Sequence, residues 1–400
     1  MTQQPTWHPG APPPPQRKRG WLVGLLVAGV VVLLALVVAV AIVVVRPWED
    51  DDTAADAKPE PPPPGEIAGD IDGDGLGDAV AVYADLEDLS TSTHIWSSTG
   101  SSFEGPMSED LPFGSADEPL IGDWDGDGAR TVIGWDPVSG NIRAWDESFD
   151  DVELTDVGGD DDFSLVAGDF DGDGRTDLAA SDSETDGEIT IFVLLSNGDG
   201  FDAPAEWVTV GDLEGSGSVL APGDFNADGV DDLLAFVDSP FNGTAEESAD
   251  AWDTTLLTST GTSFEVGELA AAPEVDLEEY EALVGDFDGS GRPQVLSQEY
   301  DDDTTSVRVF TWDGAALQED LAFQVDTNTA DGELVETVSL SVSDVDGDGL
   351  DDLVGIARDT DREETGVVVF RSTGAGFAEG ETWGEVPDCD NCTSWMARGR

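Results

Sequence analysis

Asp169-Phe170-Asp171-Gly172-Asp173-Gly174-Arg175-Thr176-Asp177 sets four carboxylates at positions 1, 3, 5 and 9 of nine residues, with glycines at 4 and 6. Phe163 to Ala167 leads into this stretch and Leu178 to Ala180 leaves it. Ile189 to Leu195 and Trp207 to Val210 follow. All four flanking runs are short, apolar and rich in β-formers. The unit therefore reads as four strands with an acidic turn between the first two.

The turn recurs along the chain. It returns with Asp70, Asp72, Asp74 and Asp78, and with Asp123, Asp125 and Asp127 before a closing Thr131. It returns with Asp224, Asn226, Asp228 and Asp232, and with Asp286, Asp288 and Ser290 before a closing Gln294. The last copy has Asp344, Asp346, Asp348 and Asp352. Successive starts are 53, 46, 55, 62 and 58 residues apart. A second landmark follows each turn, a Gly-containing hairpin signal that ends in an apolar residue. It runs from Ser98 to Phe103, Ser196 to Phe201, Ser259 to Phe264 and Ser372 to Phe377. Repeat five has the looser Trp312 to Leu317, and repeat two offers only Ser148-Phe149. Six four-stranded units at this period predict a β-propeller, in which radial packing buries each sheet against the next.

Hard oxygen donors crowded into a tight turn are what calcium requires. Beyond the side chains named above, position 7 can add a backbone carbonyl, from Leu76, Ala129, Arg175, Val230, Arg292 and Leu350. Position 6 is Gly in every copy, which gives the backbone freedom to fold the donors inward. Magnesium fits less well because it dehydrates reluctantly. The competing reading is a set of ordinary Asp-Gly turns with no metal. Against it stands the mutual repulsion of three or four carboxylates with no counterion. Loops one, three and six have the full set and are expected to bind best, and loop five is the weakest. An EF-hand would need a bidentate Glu at position 12. That place holds Ala81, Gly134, Ala180, Ala235, Ser297 and Gly355.

The acidic loops with their Gly-turn-Phe signal resemble FG-GAP or VCBS repeats, as in integrin α-chain head propellers and bacterial surface proteins. The resemblance spans residues 66–387. It implies a propeller with calcium held between the first and second strands of each blade. Integrin heads have seven blades and this chain has six loops, so their ligand face does not carry over.

The N-terminal part has another character. Trp21 to Val45 carries no charge over 25 residues. As a helix it would be about 37 Å long, enough to cross a bilayer core. It ends in Val45-Arg46-Pro47, a poor cleavage site, so residues 21–45 are expected to be a retained signal anchor. Arg17, Lys18 and Arg19 precede it and Glu49 to Asp52 follow. The positive-inside rule then places the Pro-rich tail, residues 1–20, in the cytoplasm and the rest outside. Residues 46–65 read as an acidic, Pro-rich linker. Residues 388–400 read as a tail holding Cys389 and Cys392, a pair better suited outside the cell to a local disulfide than to zinc. The expected architecture is all-β: a six-bladed propeller with a calcium loop in each four-stranded blade, preceded by one transmembrane helix.

A net charge of −73 excludes nucleic acid as a partner. The chain has two histidines, His8 in the tail and His94 in an expected strand, and no hydrolase or phosphate-binding motif. The expected function is that of a membrane-anchored, extracytoplasmic binding module, for adhesion or envelope assembly, with a protein or glycan ligand. The alternative is a propeller enzyme acting on extracellular polysaccharide.

Overall fold

The computed structural model describes residues 67, 69–85, 91–109, 119–136, 141–145, 151–156, 164–184, 188–211, 218–238, 252–272, 282–301, 304–326, 335–359, 364–386 and 392–399. The expected anchor, cytoplasmic tail and linker lie outside these residues, as does Cys389. Among the described residues no helix is long and apolar enough to cross a membrane.

The described residues form six sheets. The first repeat gives β1 (Ala79–Asp85), β2 (Thr91–Ser98) and β3 (Phe103–Glu109). The second gives β4 (Leu120–Gly122), β5 (Thr131–Asp136), β6 (Asn141–Trp145) and β7 (Asp151–Asp156). The third gives β8 (Ser164–Gly168), β9 (Asp177–Glu184), β10 (Glu188–Leu194) and β11 (Ala205–Val210). The fourth gives β12 (Ser218–Gly223), β13 (Asp232–Asp238), β14 (Trp252–Ser259), β15 (Phe264–Val266) and the two-residue β16 (Ala270–Ala271). The fifth gives β17 (Leu283–Gly285), β18 (Gln294–Asp301), β19 (Thr304–Trp312) and β20 (Leu317–Asp326). The sixth gives β21 (Val335–Ser343), β22 (Asp352–Asp359), β23 (Glu364–Phe370) and β24 (Glu381–Glu385). Repeats two to six are antiparallel meanders, each with its acidic loop joining the first strand to the second.

Among the described residues no strand precedes the first acidic loop. The far end of the chain supplies the fourth strand of that sheet. β25 (Cys392–Met396) pairs antiparallel with β1, so that blade one runs β25-β1-β2-β3. The chain then continues into β26 (Arg398–Gly399), which pairs parallel with β4 of blade two. The propeller therefore does not stop at residue 387. The segment 392–399, expected to be a tail, is its closing strand, and Cys392 lies opposite Asp85 in it. Ser339 of β21 receives the Met396 N–H on its Oγ at 3.0 Å, so the closing strand is also tied to blade six.

The ring is held together by clusters that each straddle two neighbouring blades. Successive strand residues point to opposite faces, and both faces of a blade are covered. In β1, Ala79, Ala81 and Tyr83 join Val354, Ile356, Val367 and Val369 of blade six. Val80 and Val82 of the same strand join Ile121, Val132 and Trp145 of blade two. Further clusters join blades two and three, three and four, four and five, and five and six, which closes the circle. This two-sided burial explains why the second strands read as unbroken apolar runs, such as Leu233-Leu234-Ala235-Phe236-Val237.

Candidate metal centres

In all six loops the position-1 Asp organises the turn. Its Oδ2 accepts the N–H of the position-6 glycine, at 3.0 Å for Asp70 and Gly75, 3.0 Å for Asp123 and Gly128, and 2.9 Å for Asp169 and Gly174. The same bond is 2.8 Å for Asp224 and Gly229, 2.7 Å for Asp286 and Gly291, and 2.9 Å for Asp344 and Gly349. The position-5 side chain accepts the N–H of position 7 at Leu76, Ala129, Arg175, Val230, Arg292 and Leu350. Gly174 has φ +86°, a left-handed conformation that a Cβ would strain. Position 4 is also left-handed, and in loop four it is Ala227, at φ 61°. Ala227→Gly is expected to raise stability by about 0.5–1 kcal/mol. Relief of about 1–2 kcal/mol of αL strain is offset by the greater freedom of glycine in the unfolded chain. Urea titration of the two proteins measures this.

Carboxylate oxygens within 4.8 Å of one another, able to hold a metal ion, come from Asp70, Asp72 and Asp78, and from Asp123, Asp125 and Asp127. They also come from Asp169, Asp171 and Asp177, and from Asp344, Asp346 and Asp348. Asp74 and Asp352 belong to their loops but not to these tightest triads. Asp173, also outside its triad, has its carboxylate ion-paired with Arg175 from position 7 of the same loop. In loop four the Asn226 side-chain nitrogen donates to Asp232 Oδ1 at 3.3 Å, so the amide and the acid face each other. In loop five burial raises the Asp286 pKa, and the neighbouring Asp288 carboxylate adds to the rise.

The position-9 acid is the deepest ligand candidate. Asp78 accepts Ser98 N–H on Oδ1 at 2.8 Å and Ile71 N–H on Oδ2 at 2.9 Å. Asp177 does the same with Ser196, at 2.7 Å, and Phe170, at 3.0 Å. Asp232 and Asp352 hold Ser259 N–H and Ser372 N–H on Oδ1, and their Oδ2 atoms are buried with no hydrogen-bond partner. Burial, reinforced by the neighbouring loop carboxylates, pushes Asp78 and Asp177 up to about 7, Asp352 to about 8 and Asp232 to about 6. A buried carboxylate oxygen with no hydrogen-bond partner is costly unless a cation or a proton answers it.

These shifts set a pH dependence. A raised pKa means that the native state keeps protons which the unfolded chain releases above about 3.8. Stability from this source is full below that value and is lost as pH rises through about 6 to 8. Without divalent metal the melting temperature is therefore expected to fall between pH 5 and pH 8. In high salt, which screens the acidic surface, the remaining slope should be reduced in Asp352→Asn. Melting curves in chelator across this range provide the check.

The position-9 acid also explains why the two sequence landmarks travel together. It holds the N–H of the Ser that opens the Gly turn, and that Ser then reaches the previous blade. Ser98 Oγ donates to Val345 O at 2.7 Å, Ser259 Oγ to Phe170 O at 2.6 Å and Ser372 Oγ to Phe287 O at 2.6 Å. Ser196 Oγ donates likewise to Trp124 O. The Phe that ends the turn packs on the same neighbour: Phe264 on Phe170 at 5.9 Å between ring centres, and Phe377 on Phe287 at 5.4 Å.

Position 8 links four pairs of neighbouring loops directly. Its N–H donates to the position-1 carbonyl of the preceding loop: Gly77 to Asp344 at 2.8 Å, Thr176 to Asp123 at 2.7 Å, Asp231 to Asp169 at 2.8 Å and Asp351 to Asp286 at 3.0 Å. Side chains return the bond, as Asp169 N–H donates to Asp231 Oδ2 at 2.9 Å and Asp286 N–H to Asp351 Oδ2 at 2.7 Å. Neither the serines nor position 8 was among the residues expected from sequence to form the site. The signal was present in the four repeats where an Asp at position 9 is paired with a Ser-x-Gly turn. Repeat five departs in both places, with Gln294 and Trp312.

A family model described as FG-GAP-like repeat matches residues 169–235, which hold the third and fourth loops. With the six-bladed ring, this makes the repeats those of an FG-GAP/VCBS-type propeller. No curated protein matches the sequence. Similar solved structures include AofleA from Arthrobotrys oligospora, 11% identical with TM-score 0.44, over 83% of this chain and 92% of that one. A Bacillus licheniformis rhamnogalacturonan lyase is 13% identical with TM-score 0.33, over 80% and 68%. The V. cholerae biofilm matrix protein Bap1 is 12% identical with TM-score 0.28, over 80% of this chain and 61% of that one. At these values they say nothing of what this chain does.

Proposed function

We propose, from its FG-GAP/VCBS-type repeats, that this propeller is a calcium-dependent binding module held outside the cell by its N-terminal anchor. Its task on this reading is to bind a protein or glycan, in adhesion or in assembly of the envelope, and not to catalyse a reaction. The observation that carries the calcium reading is the pair of buried, unpartnered oxygens, Asp232 Oδ2 and Asp352 Oδ2, beside the other acids of their loops. Oxygen-only donor sets of this kind suit calcium better than zinc or copper. Asp344, Asp346, Asp348 and Asp352, with the Leu350 carbonyl, would hold an ion in loop six. Corresponding sets would serve loops one to three, and loop four has Asp224, Asn226, Asp228 and Asp232. When bound, the ion supplies two positive charges that offset the repulsion of the carboxylates and fix the shape of the turn.

Placement outside the cell rests on the Arg17-Lys18-Arg19 cluster ahead of the apolar span, and it agrees with the millimolar calcium of extracellular fluids. Protease added to intact cells making the full chain should digest the propeller and spare the residue 1–20 tail. Protection of the propeller would overturn the topology. Glycan-array and pull-down screens with the full chain, in calcium and in chelator, test the binding role. A ligand retained equally in chelator would separate binding from calcium.

A further inference from the structure

We propose that the loops are not independent calcium sites but form two coupled runs, loops two to four and loops five, six and one, with a break between loops four and five. This rests on the calcium reading above. Position 8 lies between two expected ligands, the position-7 carbonyl and the position-9 carboxylate. Its N–H is fixed on the position-1 residue of the preceding loop, itself a ligand. Loops three and four share three such ties: Asp231 N–H to Asp169 O at 2.8 Å, Asp169 N–H to Asp231 Oδ2 at 2.9 Å, and Ser259 Oγ to Phe170 O at 2.6 Å. Loops five and six share the same three through Asp351, Asp286 and Ser372. Loops six and one are tied through Gly77 and Ser98, and loops two and three through Thr176 and Ser196.

Loop five cannot make the equivalent tie to loop four. Its position 8 is Pro293, which has no N–H. The place of its turn serine is taken by Trp312, whose side chain lies in the cluster between blades four and five. Two independent substitutions therefore remove the backbone bond and the hydroxyl bond at one junction. Gly223 stands against the Pro293 ring there: a Cβ on it would come within 3.0 Å. The blades still pack, but the loops are not tied in this way.

Binding an ion orders a loop, and a neighbour tied to that loop then has less ordering left to do, which is positive coupling. The coupling is reciprocal by linkage. The test follows hydrogen exchange of each loop peptide in the full chain during a calcium titration. In Asp171→Asn, which weakens loop three, the calcium midpoint of loop four should rise by about fivefold, the low end of usual site coupling. In Asp228→Asn, which weakens loop four, the midpoint of loop three should rise by the same factor, while the calcium-dependent protection that loop five takes from its ties to loop six should not move. Exchange of the β10 and β13 peptides in the same samples reports whether each variant is folded. Loops that are protected by calcium, but with unmoved neighbours, would overturn the coupling and leave the calcium reading intact. A shift of loop five equal to that of loop three would overturn the break. If calcium protects no loop, the reading beneath the proposal fails with it.

Discussion

The full chain is expected to melt about 10–20 °C higher in about 10 mM calcium than in chelator. Extracellular calcium modules bind at about 10⁻⁴–10⁻³ M, so this concentration lies about ten- to a hundredfold above Kd. Each site that binds only the native state then adds about 1.4–2.7 kcal/mol. Four loops bring three carboxylates together, and these alone sum to about 6–11 kcal/mol. A domain of this size moves by about 2 °C per kcal/mol. The loops should contribute unequally. Asp171 belongs to a triad, whereas Asp288 lies in a loop that forms none. Asp171→Ala should therefore reduce the calcium-minus-chelator difference more than Asp288→Ala. The difference is the proper measure, because removing an acid also relieves repulsion in the metal-free loop. If chelator leaves the wild-type melt unchanged at moderate salt, the loops are plain turns.

Ending the chain at residue 391 is expected to abolish cooperative melting altogether, in calcium or without it. The loss removes β25 from the inner edge of blade one and β26 from blade two. Met396 leaves the cluster between blades six and one, and Ala397 leaves the cluster between blades one and two. The buried backbone of β1 then loses the partners that Ala81 to Asp85 have in the native sheet. Unpaired buried polar groups cost about 1–3 kcal/mol each, so a few of them exceed the usual margin of stability. Calorimetry of the shortened chain decides the point. A single sharp transition within a few degrees of the full chain would show that the closing strand is dispensable.

The ring was legible in the sequence because its strongest signals are local. Asp169 to Asp177 with its flanking runs defines one blade, and the spacing of the six copies counts them. The closing strand was not legible, since nothing in Cys392-Thr-Ser-Trp-Met396 marks it as belonging beside residues 79–85. Pairing over that distance leaves no periodic trace. The acids expected at each site were read from composition at alternate positions. That reading could not foresee that Arg175 would turn back onto Asp173, or that Asn226 would face Asp232. Such contacts depend on side-chain direction within one turn, which spacing does not fix. The serines were missed for a different reason. Ser98 and Ser372 looked like ordinary turn formers, and their hydroxyls act on blades adjacent in space rather than in their own hairpins.

The closing strand also sets a schedule for folding. Ala81 meets Met396, 315 residues further along the chain. At about 5–20 residues per second, synthesis leaves an interval of about 15–60 s between the two. A hairpin forms in about 1–10 μs, so β1 and β2 can pair long before β25 exists. Throughout that interval the inner edge of β1 is an open template made of Ala79-Val80-Ala81-Val82-Tyr83, an uncharged strand of the kind that recruits other chains. For tens of seconds this edge of β1 therefore waits without its native neighbour, and the ring can close only when the last strand arrives.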